Sequence, residues 1–175
     1  MPLLRAMNRT ELEFTTFATP IGECAIAWSQ RGISGTKLLH ARFPGARRAE
    51  PPAAVQHALD GIVATLSGQS ADFSNVHLDM RGVPKFHQRV YEIARTIPSG
   101  TTMTYGEIAT RLGDPTASRD VGYALGHNPF PIIVPCHRVL AAGNKMGGFS
   151  APGGVATKIR LLTLEGALLN VFDQR

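Results

Sequence analysis

Cysteine is scarce in this chain: 175 residues hold only Cys24 and Cys136, and neither sits in a CxxC pair. A disulfide-stapled scaffold is thereby excluded, and zinc, which usually takes four ligands at short spacings, has no candidate set. No apolar run approaches the ~20 residues needed to cross a bilayer, so no membrane span is expected. The start, MPLLRAMNRT, lacks a signal-peptide apolar core with a small-residue cleavage site, and the expected location is the cytoplasm. Internal repeats are lacking too. What remains is a globular composition, 43% hydrophobic with a mean hydropathy of −0.02, long enough for one sizeable domain or two small ones sharing a core.

Acidic side chains are in shorter supply than basic ones, and the imbalance is local. Residues 1–80 carry seven of each sign, whereas 81–175 carry eleven Lys/Arg against six Asp/Glu, so the whole net charge of +5 lies in the second half. A polyanionic partner, if there is one, binds there; basic proteins without such a partner are common.

The first half reads as strands followed by one helix. Glu11–Ala18 and Glu23–Trp28 are rich in β-formers and flank the turn-like Thr19-Pro20-Ile21-Gly22. On the second run Cys24, Ile26 and Trp28 share one face at period two, which makes Cys24 a buried strand residue. Ile33–His40 is a third candidate strand. Val55, Leu59, Ile62, Val63 and Leu66 then recur at helical spacing. Gly68–Met80 is a polar connector, which places a boundary between residues 1–80 and 81–175.

The second half is mostly helical. Phe86, Val90, Ile93, Ala94 and Ile97 form one stripe, closed by Pro98-Ser99-Gly100. Thr104-Tyr105-Gly106-Glu107 has capping-box spacing and starts a helix that Gly113 stops. Asp114 is placed to cap the next helix, with Pro115 at its first position. Ala117, Val121, Ala124 and Leu125 then point inward, while Ser118, Arg119, Gly122 and Gly126 form the exposed face. Two short helices joined this way fit a helix-turn-helix. A helix that reads base sequence needs several long polar side chains. This face has small residues and one long cation, which suits backbone contact and one inserted side chain. An ordinary αα-hairpin with a solvated Arg119 fits the same segment.

Cys136 sits in PIIVPCHRV, after an aliphatic run that reads as a delivering strand. A free thiol titrates near about 8.5, so a nucleophilic cysteine needs a base or positive field beside it, and His137 and Arg138 follow directly. Pro135 fixes one backbone angle, as expected where one side chain is presented rigidly. The other reading is that Cys136 packs as a small hydrophobe under Ile132, Ile133 and Val134.

Pro135-Cys136-His137-Arg138-Val139 resembles the active-site signature of the O6-alkylguanine-DNA alkyltransferases, the methylated-DNA–protein-cysteine methyltransferases. The resemblance extends in order from Phe86 through Ile97-Pro98-Ser99-Gly100, Thr104-Tyr105-Gly106-Glu107-Ile108-Ala109, Ser118-Arg119-Asp120-Val121-Gly122 and Asn128-Pro129. It ends with Lys158, Leu161-Leu162 and Glu165-Gly166. It implies an α+β fold: a small ribonuclease-H-like β-containing domain over residues 1–80, then a mainly helical domain over 81–175 with a helix-turn-helix and the active-site cysteine. The implied reaction is direct-reversal DNA repair. After minor-groove binding and nucleotide flipping, the alkyl group of O6-alkylguanine, with O4-alkylthymine as a second lesion, passes irreversibly to Cys136.

Each implied role has a physical sense. His137, through a water, would act as base toward the thiol, with Glu165 orienting the ring. Tyr105 would assist departure of the guanine. Asn128 would tie the helix-turn-helix to the active-site turn. Arg119 would fill the gap left by the rotated nucleotide, which must leave the stack before chemistry. Tyr105, Gly106, Asp114, Thr116, Ala117, Ser118 and Gly122 complete the implied DNA surface, and Val139, Phe149, Ser150 and Lys158 the pocket. No residue is placed to regenerate the thiol, so a monomer consumed in one turnover is expected, with no cofactor, metal or membrane, and with double-stranded DNA as its partner.

Departures from the family pattern are Asp120 after the expected intercalating Arg119, Gly126 at an often basic position, Phe149 where tyrosine is frequent, and a longer Ser150–Gly154 loop. Two other functions compete. A lesion-flagging alkyltransferase-like protein would lack the cysteine, which is present here. A cysteine hydrolase would need an oxyanion motif, which no segment supplies.

Overall fold

The computed structural model describes residues 12–168, so Glu11 of the expected first strand lies outside the described residues. Strands β1 (Glu13–Thr19) and β2 (Gly22–Ser29) pair antiparallel with Thr19 opposite Gly22. Gly22 closes the turn at φ 135, a conformation that glycine adopts without steric cost. Thr19 Oγ1 donates to Gly22 O at 2.6 Å and holds the two strand ends together. β3 (Gly32–Lys37) pairs with β2 across a bulge at Ala27/Trp28, and β4 (Arg47–Arg48) adds parallel to β1, giving the order β3-β2-β1-β4.

Cys24, Ile26 and Trp28 are buried as their alternation requires, and so are Ala25 and Ala27 between them. The expected third strand stops short of His40, because Leu39 takes φ 55 and turns the chain out of the sheet. Helix α1 (Ala53–Leu66) buries Val55, Leu59, Ile62 and Leu66 of the expected stripe together with Ala58, while Val63 is only half-buried. Each of the buried valine, leucine and isoleucine side chains among them stabilises the fold by roughly 1.5–3 kcal/mol.

The second half contains α2 (Lys85–Ala94), β5 (Met103–Thr104), α3 (Tyr105–Arg111), α4 (Ser118–Gly126), β6 (Val139–Leu140) and α5 (Val155–Leu164). β5 and β6 pair in parallel and bring the start of α3 beside the cysteine turn. The capping box forms: Thr104 Oγ1 accepts from Glu107 N at 3.1 Å, and Glu107 Oε2 accepts from Thr104 N at 2.6 Å. Tyr91 of α2 donates its hydroxyl to Ala124 O at 2.6 Å and pins α4 from below. One hydrophobic cluster runs from Cys24 and Ile26 through Val90 and Val121 to Leu161, so both halves of the chain share a core.

Two local expectations are corrected. Asp114 does not cap α4, which begins at Ser118 with no side-chain cap at Ala117. Asp114 Oδ1 instead accepts from Thr116 N at 3.1 Å and Thr116 Oγ1 at 2.6 Å, closing a turn that also contains Pro115. Short polar side chains favour such local bonds over continuing a helix. Nor is the aliphatic run before Cys136 a strand. Residues 131–134 form a tight turn with Ile132 at φ 76, closed by Val134 N donating to Phe130 O at 2.8 Å. Ile132, Ile133 and Val134 are all buried, so their packing outweighs the strand preference of β-branched residues.

Candidate active site

Cys136 begins a short 3₁₀ turn, Cys136–Arg138, between the loop after α4 and β6. Asn128 fixes that loop. Its Nδ2 donates to Val134 O at 2.9 Å, and its Oδ1 accepts from Phe130 N at 2.9 Å. One side chain thus ties the end of α4 to the residues that deliver the cysteine. Cys136 is 7% exposed. Burial raises its thiol above the ordinary range, while hydrogen bonding from Asn128 and the charge of Lys158 work the other way.

His137 is fully buried. Burial pushes its imidazole below the usual range, against the pull of Glu165, so the ring is neutral at pH 7. It donates Nε2–H to Glu165 Oε1 at 2.9 Å, the tautomer a carboxylate requires. Nδ1 is left as an acceptor, buried with no hydrogen-bond partner among the described residues. Arg138 grips both oxygens of Glu165, Nε to Oε2 at 3.0 Å and Nη2 to Oε1 at 2.7 Å, and Nη1 donates to Ile97 O at 2.8 Å. Burial alone would raise the Glu165 carboxyl, but the hydrogen bonds from His137 and Arg138 outweigh it and hold it at about 2.

Tyr105 opens α3 with its ring beside Gly122 of α4 and its hydroxyl bonded to the backbone of Gly148. Burial, and then the nearby Cys136, raise this hydroxyl, which stays a proton donor at neutral pH. Lys158 of α5 is fully buried; its Nζ donates to Val139 O at 2.7 Å and Gly148 O at 3.2 Å. Burial lowers this lysine to about 8.

A cavity of ≈ 230 Å³ reaches Cys136. Asn128, Pro131, Cys136 and Phe149–Pro152 wall one side, and Thr36, Lys37, Leu38 and His40 wall the other. Phe149 and Ser150 therefore lie where a pocket requires them. Val139 and Lys158 are buried and do not line the cavity; Lys158 ties Val139 O to Gly148 O just before Phe149.

The remaining expected residues divide by exposure. Arg119 is exposed on α4, as are Asp114 and Thr116 in the preceding turn. Gly106 lies where a Cβ would be 3.7 Å from Ser118 Oγ, so small residues here set the α3–α4 spacing. Ala117 is 4% exposed and offers a ligand only its backbone. Asp120 occupies the first turn of α4, where the helix dipole favours a negative charge.

Sequence reasoning missed three features. By sequence Arg138 reads only as a base or a source of field beside the thiol, yet its fork is committed to Glu165. The Thr36–His40 wall depends on tertiary contact: Thr36 Oγ1 donates to Pro131 O at 2.9 Å across a long stretch of sequence. Tyr123, on the helix face expected to be small, had a visible signal in its position one turn beyond Arg119.

Residues 85–167 match the family model described as 6-O-methylguanine DNA methyltransferase, DNA binding domain. The chain is 40% identical over 168 residues to a methylated-DNA–protein-cysteine methyltransferase of Mycobacterium bovis, covering 93% of this chain and 99% of that protein. A protein of the same name from Methanothermobacter thermautotrophicus is 36% identical, over 86% of this chain and 83% of its own. The crystal structure of Mycobacterium tuberculosis OGT in complex with DNA superposes with a TM-score of 0.76 at 39% identity, over 91% of this chain and 99% of that one. With near-complete coverage of a relative at this identity, the chain belongs to the methylated-DNA–protein-cysteine methyltransferases.

Proposed function

We propose that the protein repairs O6-alkylguanine in duplex DNA by moving the alkyl group onto Cys136 in a single turnover. The observation that carries the reading is a buried thiol on a cavity wall, followed in sequence by a neutral imidazole locked to a carboxylate. In the reaction the Cys136 sulfur bonds to the alkyl carbon as the bond from that carbon to guanine O6 breaks. The thiol proton passes through a water to His137 Nδ1, the one ring nitrogen left as an acceptor. Departing guanine takes a proton from the Tyr105 hydroxyl, which recovers it from solvent. The products are an S-alkylcysteine thioether and restored guanine.

The α3–turn–α4 unit supports a helix-turn-helix whose exposed face enters the minor groove, with Arg119 filling the gap left by the flipped nucleotide. Residues 1–80, a ribonuclease-H-like domain in this reading, supply the far wall of the cavity, and 81–175 carry DNA binding and the thiol. O4-alkylthymine is a second lesion of suitable chemistry. The protein works as a cytoplasmic monomer without metal or cofactor. Among the described residues no helix is long and apolar enough to cross a membrane.

The test is an intact-mass measurement after incubation with an oligonucleotide carrying O6-methylguanine. The expected result is a gain of one methylene on the peptide containing Cys136, lost in Cys136→Ser. Unchanged mass with tight, reversible lesion binding would instead identify a protein that flags lesions without repairing them.

A further inference from the structure

Tyr123 is the most exposed of the large hydrophobic side chains in the described residues, at 61%. It belongs to a helix whose inner face is closed by Val121, Ala124 and Leu125. At ~100° per residue, Tyr123 lies only about 40° around α4 from Arg119 and one turn along from it. The two side chains therefore share a face; Asp120 and Gly126 are the other exposed residues of α4.

An exposed ring usually samples several rotamers, but this one is held. His127 stacks on it with ring centroids 4.1 Å apart and planes at 28°. The His127 ring is itself anchored by Nδ1 at 2.9 Å from Tyr123 O. From α2, His87 meets Tyr123 edge-on at 5.8 Å, and His87 in turn meets Tyr91 at 6.2 Å. His127 stacks on one face of the tyrosine and His87 of α2 meets it edge-on, and the residue stays 61% exposed. A restrained aromatic face beside a cation on a basic half of the chain matches the chemistry of duplex DNA, where apolar sugar and base edges lie beside phosphates.

We propose that Tyr123 is a second DNA-contacting side chain, packing its free ring face against the sugar and base edges next to the flipped nucleotide while Arg119 fills the gap. This rests on the reading above that the exposed face of α4 meets the duplex. Together the two side chains hold both sides of the opened stack, and the small residues Gly122 and Gly126 let the helix approach closely enough for them to reach.

Two measurements on the full chain test it: affinity for an O6-methylguanine duplex by fluorescence anisotropy, and the rate of reaction with free O6-benzylguanine, which needs no duplex. Tyr123→Ala is expected to weaken duplex affinity about five- to thirty-fold, the lower part of the range for base–aromatic contacts, with the free-base rate retained. Tyr123→Phe, which keeps the ring, is expected to bind like the parent. Unchanged or tighter duplex binding by Tyr123→Ala, while Arg119→Ala weakens it, would overturn the role of Tyr123 and leave the α4 reading intact. If neither substitution alters duplex binding, the DNA-facing assignment of α4 fails and the inference with it. Equal losses in Tyr123→Ala and Tyr123→Phe would assign the contact to the hydroxyl and overturn the ring-packing proposal.

Discussion

His137 Nε2 lies 2.9 Å from Glu165 Oε1, and both side chains are almost wholly shielded from solvent. The carboxylate fixes the imidazole tautomer and leaves Nδ1 with its lone pair. Arg138 completes the unit by neutralising Glu165 from the other side. The arrangement makes a base whose proton affinity is set by burial, with a carboxylate that stays ionised.

Replacing His137 by Gln is expected to slow methyl transfer about a hundredfold or more, the lower end of what a positioned base contributes. Single-turnover rates on an O6-methylguanine duplex give the measure. Glu165→Gln keeps the shape but loses the ion pair with Arg138, and is expected to cost about 3 kcal/mol or more in denaturant unfolding. The pH dependence has a definite sign. His137 titrates below 6.5 in the fold, so the unfolded chain binds more protons as the medium is acidified below that value. Glu165 is held at about 2, below its ordinary 4.5, and its contribution is present above 4.5 and lost as pH falls towards 2. Stability is therefore expected to decline steadily from pH 6.5 downward, and less steeply in His137→Gln. A decline of equal steepness in that variant would contradict the assignment.

Asn128→Ala leaves Phe130 N without its acceptor in a buried loop, while Val134 O keeps its bond from Cys136 N and loses its second donor. One unsatisfied buried group costs about 1–3 kcal/mol, so a fall of that size in unfolding free energy is expected. The same change removes a hydrogen bond that lowers the Cys136 thiol. Thiol titration by absorbance should then show Cys136 ionising at higher pH than in the parent. A lower value would rule out this role for Asn128.

Much of this site was legible before any coordinates. Cys136, His137, Glu165, Tyr105 and Asn128 do come together, because they stand in an ordered series of motifs whose spacing the fold retains. The hairpin around Thr19–Gly22, the α1 stripe and the Thr104–Glu107 capping box follow from local chemistry alone. The failures share a different cause. Ile132-Ile133-Val134 has strand propensity, but Asn128 and the buried pocket for these side chains bend it into a turn. Asp114 has cap propensity, but Thr116 satisfies it first. The Thr36–His40 wall and the Arg138 fork depend on distant segments meeting, for which neither pattern nor propensity carries a signal.

Lys158 offers a second titration with its own sign. Its folded pKa of about 8 lies below the ordinary 10.5, so between these values the unfolded chain holds the proton that the folded chain has lost. Stability is expected to rise with pH across that window. Lys158→Met keeps the aliphatic stem and removes both Nζ bonds, to Val139 O and Gly148 O. Denaturant unfolding of Lys158→Met from pH 8 to 10.5 should lack the rise seen in the parent. A parallel rise in both proteins would show that another group is responsible.

Gly147 tests whether the loop and Tyr105 act together. It sits at φ 67, and a Cβ added there would lie 2.7 Å from Tyr105 Oη and 3.3 Å from the ring. Gly147→Ala therefore meets both a backbone conformation unfavourable to alanine and a steric clash with the hydroxyl. About 1–3 kcal/mol of destabilisation is expected. The larger effect should fall on activity, because the ring must shift away from its place beside Gly122 and Cys136. Transfer from a duplex and from free alkylguanine should slow together, in contrast to Arg119→Ala, whose defect is expected mainly on the duplex. Tyr105→Phe in the same background removes the clashing oxygen, so the double variant should regain stability relative to Gly147→Ala while its rate stays at the level of Tyr105→Phe. If stability does not return, the clash with the hydroxyl is not what destabilises the loop.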